Sequence, residues 1–228
     1  MTNAPTAVMM FAAGFGTRMG ALTKDRPKPL IEVAGKPLID HALDHVEGLN
    51  PERVVANLHY HADQLAAHLT PKGVLLSREE PEILETGGGL RTALPLLASN
   101  PVFTLNTDAV WAGPNPLTLL QNAWDPQRMD ALLMCIPIAR TVGHNGTGDF
   151  TADAEGRITR GPGLVYGGAQ IIKTDRLAEF SEQAFSLNLL WNRMQDQNRL
   201  FATEYPGRWC DVGRPEGIAL AEGLLADV

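Results

Sequence analysis

Cysteine is nearly absent from this chain: Cys135 and Cys210 are the only two in 228 residues. Cys135 lies in an apolar run and Cys210 beside Trp209, so neither spacing suggests a zinc site or a disulfide framework. Two buried thiols in a reducing, cytoplasmic compartment is the expected reading. Long apolar runs are missing too. None approaches the roughly 18 residues of a membrane span, so no membrane partner is expected. Residues 1–6 carry no basic residue ahead of the first apolar segment, and that segment runs into Gly-Phe-Gly-Thr-Arg rather than a small-residue cleavage site. A signal peptide is not expected. Cations are in deficit, 19 Lys and Arg against 26 Asp and Glu, for a net charge of −7. A nucleic-acid partner is not expected, because phosphate-backbone affinity needs clustered Lys and Arg. One anionic small molecule can still bind where cations, backbone N–H groups or a metal converge.

What is present is an ordinary globular composition, with 44% hydrophobic and 20% charged residues, which excludes disorder and fibrous structure. A single domain over 1–228 is the simplest reading of the length. No internal repeat, low-complexity tract or clear linker divides it. Short apolar runs alternate with helical stretches, the pattern of an α/β domain with a largely parallel sheet. Strands are expected at 7–12, 53–57, 74–77, 102–106, 130–137 and near 201–205. Helices are expected at 38–48, 62–69, 89–98, 116–123, 175–184, 187–197 and 216–225, with a loop at 209–215. In the first helix Leu38, Ile39, Ala42, Leu43 and Val46 share one face. Residues 140–170, rich in Gly, Thr and Asp, read as a small β-rich flap inserted into the main domain.

The most informative segment opens the chain: Phe11-Ala12-Ala13-Gly14-Phe15-Gly16-Thr17-Arg18-Met19, followed by Arg26-Pro27-Lys28-Pro29-Leu30. A buried strand delivers the chain into a glycine-rich turn, where the backbone can approach a ligand closely. Successive N–H groups of such a turn can converge on phosphate oxygens. Ala13, Gly14 and Gly16 supply backbone, Thr17 a hydroxyl and Arg18 a planar charged fork. Lys28, fenced by two prolines, adds a point charge on a stiffened loop. A dinucleotide fingerprint would need Gly where Met19 stands, and a P-loop would need Gly-Lys-Ser/Thr. Neither is met. A bare Gly-x-Gly would be an ordinary tight turn; the combination with Pro-Lys-Pro-Leu is far more specific.

Three more segments carry candidates. Asp108 follows the apolar run 102–106 and Asn106-Thr107, at the carboxyl end of a strand, where open α/β sheets bind ligands. On spacing alone it is either a ligand or a turn residue, and so is Asp211 in Trp209-Cys210-Asp211-Val212-Gly213. Glu85-Thr86-Gly87-Gly88-Gly89 is either a flexible helix start or a backbone surface for a flat base, with Glu85 or Thr86 at the base edge. Residues 143–150 are either a plain hairpin turn or a contact surface in which Asn145 and Asp149 bond an incoming group. His59-Tyr60-His61 has metal-like spacing but no third ligand in sight. No Ser-His-Asp or Cys-His arrangement is evident.

These motifs together resemble the sugar-1-phosphate nucleotidyltransferases, and the resemblance runs nearly the whole chain. It implies a Rossmann-like three-layer α/β/α fold, of the GT-A-like nucleotidyltransferase kind, with a mixed, mostly parallel sheet and a sugar-side flap. It also implies joining of a sugar 1-phosphate to a nucleotide triphosphate with release of pyrophosphate. The nucleotide would lie over the glycine-rich loop, with Arg18 near the leaving pyrophosphate and Lys28 on the transferred phosphate. Asp108 and Asp211 match the positions that bind magnesium in that family, about a hundred residues apart, so that only the fold can bring them together. Glu85, Thr86, Gly87 and Gly88 match the base-recognition loop, and Asn106, Asn145, Asp149 and Gly168 the sugar side. The Glu-Thr-Gly-Gly-Gly form resembles most the uridylyltransferases acting on N-acetylmuramate 1-phosphate in cell-wall recycling, which favours UTP. Guanylyl transfer to a mannose- or heptose-type sugar 1-phosphate and a non-catalytic nucleotide-sugar sensor are the alternatives. One departure stands out. Many relatives carry a Glu-Lys pair in the flap whose lysine binds the sugar phosphate. Here Arg157 and Arg160 are nearby but out of that pattern.

Overall fold

The computed structural model describes residues 4–227; residues 1–3, part of the segment read for a leader, lie outside them. In chain order the elements are β1 (Ala7–Phe11), β2 (Glu32–Val33), β3 (Lys36–Pro37), α1 (Leu38–Leu49), β4 (Arg53–Leu58), α2 (Ala62–Leu69) and β5 (Leu75–Arg78). Then follow α3 (Glu85–Leu97), β6 (Val102–Asn106), β7 (Ala109–Ala112), α4 (Pro116–Ala123), β8 (Ala131–Pro137) and β9 (Thr141–Val142). The last are β10 (Phe150–Ala152), β11 (Ile158–Arg160), β12 (Leu164–Ile172), α5 (Asn188–Asp196), β13 (Leu200–Glu204), β14 (Arg208–Asp211) and α6 (Glu216–Ala226).

The main sheet runs β5-β4-β1-β6-β12-β8-β13. Strands β5, β4, β1 and β6 are mutually parallel, β12 is antiparallel to β6 and β8, and β13 is parallel to β8. The sheet is therefore mixed and mostly parallel. Burial on both faces explains why its strands read as continuous apolar runs rather than alternating ones. In β1, Val8 and Met10 face a core shared with Ile39 and Leu43 of α1, Leu65 of α2 and Leu117 of α4. Ala7 and Met9 face the opposite core, with Leu90 and Ala93 of α3 and Leu190 and Trp191 of α5. Two cores on opposite faces of one sheet make the three-layer α/β/α architecture expected from the sequence. No helix among the described residues is long and apolar enough to cross a membrane.

Several element readings need correction. The expected loop at 209–215 begins with β14, which pairs antiparallel with β7 and parallel with β9 in a second, three-stranded sheet. The flap is smaller than 140–170. Its hairpin is β10–β11, whereas 164–172 is a long strand of the main sheet. The glycines of 140–170, Gly167-Gly168 among them, placed the start of this strand within the expected flap. In the fold these two form an irregularity in the β12–β8 register between Tyr166 and Gln170. A Cβ on Gly167 would lie 2.5 Å from the Trp111 ring. The glycines of α3 are not a prelude to the helix but lie inside it, and the helix begins at Glu85. The expected helix 175–184 is a single 3-10 turn over Asp175–Glu179. Beyond it, Arg91 of α3 draws the carbonyls of Phe180 and Glu182 to itself at 2.6 Å. Carbonyls committed to a distant guanidinium cannot close helical turns.

Candidate active site

The site lies at the carboxyl ends of β1, β4 and β6. Gly16 adopts φ 63°, ψ 28°, the left-handed region that glycine enters without Cβ strain. The close approach of Lys28 adds a second requirement, since a Cβ on Gly16 would sit 2.9 Å from both Lys28 Cβ and Thr23 Cγ2. Lys28 begins a 3-10 turn that follows the extended Pro27. Its side chain is buried, and Nζ meets Asp108 Oδ2 at 2.8 Å.

Asp108 and Asp211 are brought together by backbone pairing. In the β14–β7 ladder Asp211 is opposite Ala109, and the Val212 N–H donates to the Asp108 carbonyl at 2.9 Å. A third apolar cluster, with Met19, Val33, Val110, Cys210, Val212 and Leu224, packs behind this small sheet and holds it against the Gly-rich loop. Burial raises the Asp211 pKa, and the like charge of Asp108 raises it further, while Lys28, Arg18 and His144 oppose the shift. Two carboxylates sharing one field suit a divalent cation that completes its shell with phosphate oxygens and water. Asp108 and Asp211 are the residues that fit one. No cluster of three or more such ligands occurs among the described residues.

Two pockets flank a common wall. The first, about 210 Å³, is lined by Ala13, Gly14, Lys28, Glu85, Thr86 and Asp108, among others. The second, about 290 Å³, is lined by Asp149, Phe150, Arg160, Tyr166, Asn188 and Trp191 on its far side. Phe11, Thr86 and Asn106 line both. Arg18 lies on neither. It lines a third, larger groove with Asp211, His144 and Arg214.

The expected site residues thus separate into groups. Ala13, Gly14, Lys28, Glu85, Thr86 and Asp108 converge on the first pocket, and Asn106 and Asp149 on the second. Thr17 is exposed at the start of the 3-10 segment behind Gly16. Asn145 departs from expectation: β9 pairs with β14 and carries the following residues into the groove of Arg18 and Asp211, away from Asp149. Gly168, with φ 90°, lies against the Asn106 side chain, where a Cβ would come within 2.8 Å; it supports the pocket wall and lines neither pocket. Gly87 and Gly88 also depart. Their N–H groups both donate to the Phe185 carbonyl, and a Cβ on Gly87 would meet the Phe185 ring. Their lack of side chain serves helix-to-loop packing, and neither lines the first pocket. His59 and His61 bond the backbone carbonyls of Glu79 and Lys24.

Two positioning residues escaped sequence reasoning. Asn57, next to last in β4, accepts from the Ala12 N–H at 2.8 Å and donates to Glu79 Oε1 at 2.7 Å. Glu79, 1% exposed, accepts at its other oxygen from the Leu84 N–H at 2.7 Å. This buried chain couples the glycine-rich loop to Glu85. Glu85 itself holds φ 57°, strained for a non-glycine residue, with its side chain exposed at the first pocket. Gly89 leaves room for the pair, since a Cβ there would lie 2.5 Å from Glu79 Oε1.

Comparison with known proteins agrees with this geometry. Residues 8–144 match the MobA-like NTP transferase domain family. The chain is 41% identical to the N-acetylmuramate alpha-1-phosphate uridylyltransferase of Caulobacter vibrioides, with all of both chains covered. It is 31% identical to the Neisseria meningitidis protein of the same name, over 90% of this chain and 92% of that one. Among solved structures, HddC of Yersinia pseudotuberculosis in complex with GMP-PN superposes with a TM-score of 0.76 at 19% identity, covering 96% of this chain and 99% of the other. The chain belongs to the MobA-like NTP transferase family and is an enzyme of its sugar-1-phosphate nucleotidyltransferase branch.

Proposed function

We propose that this enzyme transfers a uridylyl group from UTP to N-acetylmuramate 1-phosphate, releasing pyrophosphate and forming UDP-N-acetylmuramate, a reaction of cell-wall recycling. The observation that carries the reading is the junction of the two pockets beside Lys28 and Asp108, in a chain matched end to end by a relative of that name. The nucleotide occupies the first pocket over Ala13 and Gly14. The Glu85 carboxylate is an acceptor suited to the N3–H of uracil, with Thr86 beside it. The sugar occupies the second pocket, and Asn106 on the shared wall touches both substrates.

The acceptor phosphate oxygen attacks the α-phosphorus in line and the pyrophosphate leaves. A phosphate monoester has a second pKa of about 6, so the nucleophile is already ionised at neutral pH and no general base is needed. The protein's work is positioning two anions and offsetting their repulsion. Lys28, neighbour to the pocket's reacting end, places a cation at the α-phosphate. Arg18, in the groove beyond Asp211, receives the departing pyrophosphate. Asp108 and Asp211 hold a divalent cation, which we take to be Mg2+ and which supplies charge neutralisation on the phosphates.

The test is magnesium-dependent pyrophosphate release, crossing UTP, GTP, CTP, ATP and dTTP against a panel of sugar 1-phosphates that includes N-acetylmuramate 1-phosphate. Selective turnover of UTP with the muramate is expected. Selective turnover of GTP with a mannose- or heptose-type sugar would overturn the substrate assignment and keep the chemistry. Nucleotide binding without turnover of any pair would favour a sensor.

A further inference from the structure

Arg160 is the only cation among the residues lining the second pocket. It ends β11, and its backbone N–H donates to Gln195 Oε1 of α5 at 3.2 Å. Its guanidinium carbon lies 4.6 Å from the Phe150 ring centroid and 5.6 Å from that of Trp191. Nη2 donates to Asn188 Oδ1 at 2.7 Å. Two rings and one amide therefore fix the plane of the fork. Trp191 is fixed in turn by a buried chain, its Nε1 donating to Gln170 Oε1 at 2.9 Å and Gln170 Nε2 to Thr104 Oγ1 at 3.1 Å. Among the described residues no carboxylate forms an ion pair with Arg160. Asp149, the acidic residue of the same pocket, favours the Arg160 charge through space without ion-pair contact and spends one carboxylate oxygen on the Tyr166 N–H.

A preorganised fork with no carboxylate in ion-pair contact can receive an anion that arrives with the ligand. The reacting phosphates are assigned to the shared wall beside Lys28 and Asp108, which line the other pocket, whereas Arg160 lines the second pocket alone. A sugar 1-phosphate with its phosphate at the shared wall turns the far side of its ring to Arg160. A neutral N-acetylhexosamine has no use for a cation there. N-acetylmuramate differs from N-acetylglucosamine by a lactyl ether on O3, which carries a second anion remote from C1.

We propose that Arg160 binds the lactyl carboxylate of N-acetylmuramate 1-phosphate and selects the acid-bearing sugar over its neutral counterpart, with Asn188 as the positioning residue. This rests on the muramate reading above.

The experiment measures kcat/KM with UTP for N-acetylmuramate 1-phosphate and for N-acetylglucosamine 1-phosphate, in the wild type and in Arg160→Gln, Arg160→Lys and Asn188→Ala, with a melting curve for each variant. Hydrogen bonds to a charged group convert to a loss of roughly 10- to 100-fold. Arg160→Gln is expected to lose that factor for the muramate, chiefly in KM, and to stay within about threefold for the glucosamine sugar. Arg160→Lys recovers part of the loss, and Asn188→Ala shows a smaller change in the same direction. Where the neutral sugar turns over too slowly to measure, the two sugars' dissociation constants supply the ratio. Equal losses for both sugars, or no loss for the muramate, overturn the assignment. A wild type that turns over another sugar and not the muramate overturns the functional reading, and this assignment with it.

Discussion

Replacing Gly14 and Gly16 by alanine, one at a time, separates what the glycine-rich loop does for the fold from what it does for the ligand. Gly14 is outside the left-handed region, and a Cβ there would meet nothing within 4 Å. Gly14→Ala is expected to leave stability within about 1 kcal/mol, even to gain a little from a less flexible unfolded chain. The new methyl projects into a wall of the nucleotide pocket, so KM for the nucleotide rises. Gly16 is the opposite case. An L-residue at φ 63° costs roughly 1–2 kcal/mol. The contacts of 2.9 Å to Lys28 Cβ and Thr23 Cγ2 add crowding of about 1–3 kcal/mol. At roughly 2–4 °C per kcal/mol for a chain this long, Gly16→Ala should lower Tm by about 4–20 °C. It should lower kcat as well, because Lys28 must shift to make room. Differential scanning calorimetry with steady-state kinetics reads both quantities. If Gly14→Ala melted early while Gly16→Ala kept the wild-type Tm, the division of roles argued from the backbone would be wrong.

Three further outcomes are expected. The Asp211 carboxyl has a raised pKa in the fold, so its ionised form is disfavoured there, and stability falls as pH rises from the ordinary aspartate range through the folded value. Asp211→Asn should therefore melt above the wild type at neutral pH without divalent cation, and should lose the rise in Tm that added Mg2+ gives the wild type; retention of the full Mg2+ shift would remove Asp211 from the cation site. Gly87→Ala should destabilise through its clash with Phe185 and leave the preference among nucleoside triphosphates unchanged, which a thermal melt and a nucleotide panel decide together. Burial pushes the Cys210 thiol up to about 11 and the Cys135 thiol higher still, so neither should react with a thiol reagent in the native enzyme at pH 8, and both should after unfolding; fast labelling of the native protein would show that one of them is not where the fold puts it.

How much of this was legible in the sequence follows from how local each signal is. The loop from Ala12 to Met19, with Lys28 close behind, is a local device: its chemistry and its backbone demands fall within about twenty residues, and the chain order displays them. The pairing of Asp108 with Asp211 is not local. It depends on β7 and β14, four residues each, too short for periodicity to reveal. Only resemblance to a family suggested it, and the ladder between Asp211 and Ala109 supplies the physical reason. Asn57 and Glu79 gave no signal at all, because a polar residue near the end of an apolar strand is ordinary until its partners are known. The triple glycine misled for a related reason. A helix start with three glycines reads as slack backbone, yet each of the three is pressed against something brought from elsewhere: Phe185, the Gln183 carbonyl, and the Glu79–Asn57 pair. Arg160 shows the same limit from the other side. In sequence it is an arginine out of register with the lysine that relatives carry. In the fold, the short hairpin β10–β11 sets it over Phe150, α5 supplies Trp191 and Asn188, and the mismatch in pattern becomes a cation placed for a different anion. The phosphate-facing loop is contiguous in the chain, whereas the Asp108–Asp211 pair and the surroundings of Arg160 are both assembled from segments far apart.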